Sequence, residues 1–157
     1  MGIYFMEIKF KSVREKHVVY ITATGSYLQI PKIFGELMEY ILENNVCILK
    51  HPYCTFFNNT LEVPTQELHY EIGIPFTGGA PEEGNVNIKK IAAHQVVSTI
   101  YEGVYKQTER VYLTLMEYAL SNGYLITGPV TEIYLNNPKE VNENKLLTEV
   151  QFPVMKK

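Results

Sequence analysis

The tetrapeptide Leu37-Met38-Glu39-Tyr40 recurs letter for letter as Leu115-Met116-Glu117-Tyr118, 78 residues further along the chain. Further identities fall in the same register: Val18 and Val19 with Val96 and Val97, Gly25 and Tyr27 with Gly103 and Tyr105, Asn58 and Asn59 with Asn136 and Asn137, and Leu68, Glu71 and Pro75 with Leu146, Glu149 and Pro153. Solenoid repeats are usually shorter and need about three copies to be stable, so two long copies predict two equivalent units packed into one fold.

Each copy is predicted to contain strands before and after one helix. β-branched residues and alternation predict strands at 6–13, 17–24, 53–58 and 67–75, and at 84–91, 95–101, 130–136 and 146–154. Apolar residues at helical spacing predict one helix from Pro31 to a stop at Asn44, and another from the capping residue Thr108 to Asn122. Each copy is therefore predicted to be a ββαββ unit, or βαββ after an opening strand.

Two amphipathic helices bury their apolar faces most simply on one sheet. The sequence thus predicts an α+β fold of tandem duplicated βαββ units, with an antiparallel sheet, both helices on one side and pseudo-twofold symmetry. We expect residues 1–157 to form a single domain, with internal repeats at about 6–76 and 84–154. The loop-rich stretch 77–84 is interpreted as a linker inside this domain.

Composition excludes several classes of partner. A net charge of -3, with 14 basic against 17 acidic residues, offers no basic patch for a polyanion, so no direct nucleic-acid partner is expected. No leader and no apolar run of membrane-spanning length is present in the sequence, which predicts a cytoplasmic protein without a membrane partner. Cys47, His51 and Cys54 lack an obvious fourth ligand, so neither a metal site nor a cofactor is predicted.

A resemblance follows from the order of several short motifs. They are the run from Gly25 to Pro31, Tyr70 to Pro75, Tyr101 to Tyr105, Glu132 to Tyr134, and Leu146 to Val154. Together they resemble the GyrI-like small-molecule-binding domain, also called the bacterial transcription activator effector-binding domain, over almost the entire chain. The resemblance implies a duplicated βαββ fold with a groove or pocket associated with the pseudo-twofold axis. In multidrug-responsive regulators that pocket is aromatic, with an acidic residue that meets lipophilic cations.

Regulators of this kind carry a helix-turn-helix domain ahead of the module. Here the module starts almost at Met1, so we expect no DNA-binding segment and a regulatory role only through a separate protein.

The resemblance points to Glu149 as the pocket carboxylate, because it matches the acidic position of the family's last strand. Strand alternation places Leu147, Glu149 and Gln151 on one face, and Thr148, Val150 and Phe152 on the other. Glu149 is interpreted as a counter-charge inside a pocket, the alternative being a solvated strand residue. Glu71 is its repeat equivalent and a further candidate for ligand binding.

Tyrosine is the other candidate residue type, since the chain has 12 tyrosines, seven phenylalanines and no tryptophan. Aromatic rings attract a cation by roughly 0.5 to 2 kcal/mol per well-placed face. The candidate ligand-binding tyrosines are Tyr27, Tyr101, Tyr105, Tyr112 and Tyr134. Tyr105 and Tyr134 rank first, and core packing with the hydroxyl in solvent is the alternative interpretation for each ring.

Three functions fit these residues. The first is binding of a hydrophobic, cationic or aromatic small molecule, as in effector or toxin sensing, with Glu149 as counter-charge. The second is a hydrolase of reactive xenobiotics such as cyclopropanoid compounds, in which Glu149 activates water and Tyr105 or Tyr134 acts as acid. The third is a protein-interaction module, because the family's namesake is associated with DNA gyrase.

Overall fold

The structure is a computed structural model that describes residues 7–105 and 108–157. In chain order the regular elements are β1 (Lys9–Val13), β2 (Lys16–Thr24), α1 (Ile30–Glu43), β3 (Cys47–Ile48), β4 (Tyr53–Phe56), β5 (His69–Thr77), β6 (Asn87–Ile91), β7 (His94–Glu102), α2 (Thr108–Ser121), β8 (Tyr124–Ile126), β9 (Val130–Tyr134) and β10 (Leu147–Lys156). They form two compact units. The N-terminal unit is Arg14–Ala93, and the C-terminal unit combines residues up to Val13 with His94–Lys157.

The N-terminal unit is an antiparallel sheet in the order β6, β2, β5, β4, with β3 paired to one end of β5. Helix α1 packs on β2 and β5. Its buried residues recur at helical spacing: Ile33, Leu37, Tyr40 and Ile41. Strands β2 and β5 contribute buried β-branched residues: Val19, Ile21, Ile72 and Ile74. This apolar interface between helix and sheet forms the core of the unit.

The C-terminal unit repeats the design, with β1, β7, β10 and β9 in order, all antiparallel, and β8 paired to the end of β10. Helix α2 packs on β7, β8 and β10. Val111, Leu115 and Ala119 form its buried stripe. The ring of Tyr112 meets that of Phe152 at a centroid distance of 6.1 Å, which shows that even-numbered residues of β10 face the helix.

The two units exchange their outer strands. β1 and β6 occupy equivalent places in the sequence repeat, yet β1 pairs with β7 of the second copy and β6 pairs with β2 of the first. Each compact unit therefore contains one strand from the other copy. The repeat boundaries near 76 and 84 describe the sequence, whereas the boundaries of the folded units fall at 13/14 and 93/94.

The predicted α+β fold, with duplicated units, antiparallel pairing and two helices, is confirmed. Strands β3 and β8 were not predicted, because two or three residues are too few to show alternation. Within the described residues helix α2 spans Thr108–Ser121, and its end agrees with the predicted stop at Asn122. Neither helix of the described chain is long and apolar enough to cross a membrane.

Candidate functional site

Glu132 is a charged residue in the core of the C-terminal unit. It lies on β9 in register with Val150, and both side chains point to the face of the sheet that α2 covers. Only 4% of Glu132 is exposed to solvent. A carboxylate is seldom buried to this degree without specific partners, so its surroundings decide what it can do.

Tyrosine hydroxyls supply partners for this carboxylate. The hydroxyl of Tyr134 donates to Glu132 Oε1 at 3.0 Å, and that of Tyr112 donates to Oε2. The ring of Tyr105 meets that of Tyr134 edge-to-face, with centroids 5.4 Å apart. Tyr105 is 37% exposed, so the aromatic wall is open to solvent on its side. We call Glu132, Tyr105, Tyr112 and Tyr134 the Glu132 cluster.

The electrostatics of the cluster follow from its burial. Burial raises the pKa of Glu132 above its ordinary value, although hydrogen bonds from Tyr112, Tyr134 and Thr108 oppose the shift. Burial, and then the nearby carboxylate of Glu132, raise the pKa of Tyr105. None of the salt bridges within residues 7–105 and 108–157 involves Glu132. The cluster is thus a desolvated acidic group that a cation would stabilise.

The sequence repeat shows that this polarity is particular to the C-terminal unit. A shift of 78 residues places Glu132 on Cys54, which is fully buried, and Tyr134 and Tyr112 on Phe56 and Phe34. The N-terminal unit therefore packs the same positions with groups that carry neither charge nor hydroxyl. Sequence reasoning missed Glu132 as a site residue, and this substitution of a carboxylate for a thiol at equivalent positions was the signal that could have identified it.

Glu149 lies on the opposite face of β10 from the Glu132 cluster, as strand alternation predicted. Its Oε2 lies 2.5 Å from Lys11 Nζ, and Ser98 and Gln151 donate to it at 2.7 and 2.8 Å. Burial alone would raise the pKa of Glu149, but the hydrogen bonds from Lys11, Gln151 and Ser98 outweigh it and lower the pKa. Its negative charge already has a cationic partner.

A cleft of about 270 Å³ opens on this side of the sheet. Lys9, Lys11 and Glu149 line it together with Ser98 and Ile100. Because its charges are of both signs and its walls include no aromatic ring, it lacks the chemistry of a site for lipophilic cations.

Tyr101 is placed on the same face as the Glu132 cluster. It pairs in register with Thr148, and its ring lies over Gly103, where an added Cβ would come within 2.5 Å of the hydroxyl. Gly103 also has a φ of 145°, which favours glycine. Of the five predicted tyrosines, this face of the C-terminal unit therefore carries Tyr101 and the three tyrosines of the cluster.

Glu71 and Tyr27, the remaining predicted residues, belong to the N-terminal unit. Glu71 is buried, accepts a hydrogen bond from Tyr53 at 2.6 Å and pairs with Lys89 at 2.5 Å. Tyr27 lies on the other face, against the rings of Phe56 and Tyr70. Both residues take part in contacts that stabilise their own unit.

The part of the chain that the structure describes contains no group of three His, Cys, Asp or Glu side chains close enough together to hold a metal ion. Cys47 is exposed, whereas Cys54 is buried.

Solved structures show the same fold. The crystal structure of the EcmrR C-terminal domain matches 98% of this chain and 100% of that one, with 21% identity and a TM-score of 0.88. In the EcmrR–DNA complex, solved by cryo-electron microscopy, the match has 21% identity and a TM-score of 0.87, and covers 97% of this chain but 58% of that one. SAV2435 bound to tetraphenylphosphonium matches 96% of this chain and 94% of its own, with 13% identity and a TM-score of 0.57.

Comparison with curated proteins gave no match. The family described as the GyrI-like small molecule binding domain, however, matches residues 6–155, almost the whole chain. Together with the duplicated α+β fold, this match identifies the chain as a member of the GyrI-like small molecule binding domain family.

Proposed function

We propose that the protein binds a lipophilic aromatic cation, with Glu132 as its counter-charge. The observation that carries this proposal is a carboxylate only 4% exposed, in contact with tyrosine hydroxyls and without an ion-pair partner among the described residues. Membership of a small-molecule-binding family supports it. So does SAV2435, a protein of the same fold that was solved with tetraphenylphosphonium.

The energetics favour a cation that also brings apolar surface. Burial destabilises the ionised form of Glu132, and a cation placed beside it would offset that penalty inside a low-dielectric site. Each aromatic face adds roughly 0.5 to 2 kcal/mol for a cation close to its ring. A small hydrated ion would gain less, because it would lose its water without burying apolar surface of its own.

Glu132 is a better counter-charge than Glu149, the residue that the sequence suggested. Lys11 lies 2.5 Å from Glu149, so a ligand cation would have to displace a cation that the protein already supplies. Among the described contacts, the partners of Glu132 are hydroxyl groups. Because a tyrosine hydroxyl carries no charge, it can rotate away from Glu132 without itself becoming an unpaired charge. The counter-charge role of Glu149 is therefore replaced by Glu132 in this proposal.

The ligand enters on the side of Tyr105. This ring is 37% exposed and packs edge-to-face on Tyr134, which is half-buried. Rotation of the Tyr134 side chain breaks its 3.0 Å hydrogen bond and opens a path to Glu132. The ligand then replaces a hydroxyl donor with a positive charge, which is a stronger partner for a carboxylate.

The test compares methyltriphenylphosphonium with triphenylphosphine oxide, a neutral compound of similar shape, by calorimetric titration. We expect Glu132→Gln to weaken binding of the phosphonium by about 2 to 5 kcal/mol, roughly 30-fold or more, and binding of the oxide far less. Glu149→Gln is the matched control and should leave the difference between the two ligands unchanged. A larger loss in the Glu149 variant would restore the original prediction and exclude Glu132 as the counter-charge.

Hydrolysis is a second candidate at the same cluster. It is favoured by the 3.0 Å contact between Tyr134 and Glu132, which puts a hydroxyl and a carboxyl within reach of one water. Glu149 and Tyr134, the pair suggested by the sequence, lie on opposite faces of the sheet. Mass spectrometry after incubation with a strained cyclopropanoid compound distinguishes turnover from binding. The protein-interaction module stays a prediction.

A further inference from the structure

Thr148 carries a buried hydroxyl whose hydrogen-bonding capacity is unused. Its side chain is fully buried, and its Oγ1 is the one buried side-chain polar atom without a hydrogen-bond partner within residues 7–105 and 108–157. Leaving a buried polar group unsatisfied costs about 1 to 3 kcal/mol. Valine would fill the same space without this cost, so the hydroxyl calls for an explanation.

The register of β10 places this hydroxyl beside the Glu132 cluster. Thr148 pairs with Tyr134 on one side and with Tyr101 on the other, so all three side chains are on the face that α2 covers. Glu132 pairs with Val150, two residues further along the same strand. Diagonal neighbours of this kind are about 7 to 8 Å apart, a distance that one aromatic ring with its substituents can span.

In the other unit, the buried hydroxyl at the equivalent position of the repeat has a hydrogen-bond partner. Tyr70 stands at the place equivalent to Thr148, is also fully buried, and its hydroxyl donates to the carbonyl of Ser26 at 2.9 Å. Both copies thus carry a buried hydroxyl here, but only that of Tyr70 reaches a partner within the described residues. The shorter side chain of Thr148 leaves its hydroxyl without such a partner, at a position flanked in register by Tyr101 and Tyr134.

We propose that Thr148 is a specificity-determining residue of the ligand site, and that the ligand is an aromatic cation carrying a hydrogen-bonding group on one of its rings. The inference rests on the proposed function: Glu132 meets the positive charge, and Thr148 meets the polar substituent. A hydroxyl can donate or accept, so alcohol, amine and carbonyl substituents all qualify. The site then favours cations that carry such a substituent over purely hydrocarbon cations, because only the former give Thr148 a hydrogen-bond partner.

The experiment uses two probes that differ by one hydroxymethyl group: tetraphenylphosphonium and para-(hydroxymethyl)phenyl-triphenylphosphonium. The wild-type protein should bind the hydroxylated probe roughly three- to tenfold more tightly than tetraphenylphosphonium, measured relative to the same ratio in the Thr148→Val variant. In that variant the preference for the hydroxylated probe should disappear. Affinity for tetraphenylphosphonium should be unchanged in Thr148→Val. The melting temperature of the ligand-free variant should equal or exceed that of the wild type, because an unsatisfied buried hydroxyl has been removed.

Thr99 supplies the matched control. It is buried on the same face of the neighbouring strand, but its hydroxyl already donates to the carbonyl of Glu7 at 2.9 Å. Thr99→Val should lower the melting temperature and leave the preference between the two probes intact.

The outcomes separate this inference from the proposed function. If tetraphenylphosphonium binding depends on Glu132 but the probe preference survives in Thr148→Val, the role of Thr148 is excluded while the cation site stands. If Thr148→Val lowers the melting temperature and weakens both probes equally, the hydroxyl is structural and the inference fails. If neither probe binds the wild type, both proposals fail together.

Discussion

Lys11 Nζ lies 2.5 Å from Glu149 Oε2, and the two residues come from different copies of the sequence repeat. The equivalent residues 78 positions away, Lys89 and Glu71, form the same ion pair at 2.5 Å with the copies reversed. Each exchanged outer strand is thus joined to its unit by one lysine and one glutamate. We call these contacts the cross-repeat ion pairs, and the differences in their burial lead to a first prediction.

Glu71→Gln should destabilise the protein more than Glu149→Gln at neutral pH. Glu71 is 3% exposed and is bonded to both Tyr53 and Lys89, whereas Glu149 lines a cleft of about 270 Å³. We expect a loss of about 1.5 to 3 kcal/mol for Glu71→Gln, the range for hydrogen bonds to charged groups, and about 1 kcal/mol or less for Glu149→Gln. Urea denaturation of both variants measures the two losses, and equal values would show that burial does not separate the pairs.

Glu132 and Glu149 should affect the pH dependence of stability with opposite signs. The pKa of Glu132 is raised in the folded protein, so the stability it contributes is present below the unfolded pKa and is lost as pH rises through the folded one. The pKa of Glu149 is lowered, so its contribution is present above the unfolded pKa and is lost as pH falls through the folded one.

Relative to the wild type, Glu132→Gln should therefore gain stability as pH rises, and Glu149→Gln should lose it. Denaturant unfolding of the three proteins between about pH 2 and pH 8 covers the range in which carboxyl groups titrate, including the lowered pKa of Glu149. Curves that run parallel for the two variants would contradict the assignment.

Affinity for a phosphonium cation should increase with pH. Burial raises the pKa of Glu132, and a bound cation favours its ionised form, so binding releases a proton wherever the free protein is protonated. Affinity should rise until pH exceeds the pKa of the free protein and then stay constant. Calorimetry in buffers with different ionisation enthalpies detects the proton directly. The Glu132→Gln variant serves as the control, and its profile should be flat.

Gly73→Ala should destabilise the N-terminal unit. A Cβ at this position would lie 2.4 Å from the hydroxyl of Tyr53, which would displace the ring and its hydrogen bond to Glu71. Gly35 is the control, since it lies inside α1 with no neighbouring atom within 4 Å of an added Cβ. Gly35→Ala should stabilise the protein by about 0.5 to 1 kcal/mol through helix propensity. Thermal unfolding checks both, and a tolerated Gly73→Ala would show that Tyr53 moves freely.

The fold was largely predictable because its signals are local. Alternation in Leu147–Phe152 gave the correct two faces of β10, and the helical stripes gave α1 and α2 to within two residues. The 78-residue sequence repeat predicted the two equivalent units. It could not predict the exchange of β1 and β6, because equivalent strands of similar sequence can pair with either copy.

The candidate site was predictable only in part, since burial depends on packing across the chain. Tyr105 and Tyr134 were placed first by the sequence, and their rings are in contact. Glu132 was missed because a glutamate between Thr131 and Ile133 looks like an ordinary strand residue until α2 covers it. The partner of Glu149 was equally hidden, since Lys11 approaches it only through the pairing of β1 with β7.

The exchanged strands also set an order of events during translation. Residues 14–93 are contiguous, so the N-terminal unit can be completed while the rest of the chain is still being synthesised. β1 leaves the ribosome before any of these residues, yet its partner β7 and the strand beyond it, β10, are made later. The first strand to be synthesised is therefore among the last to be paired, and until then its edge is available to β2, the place that β6 finally occupies.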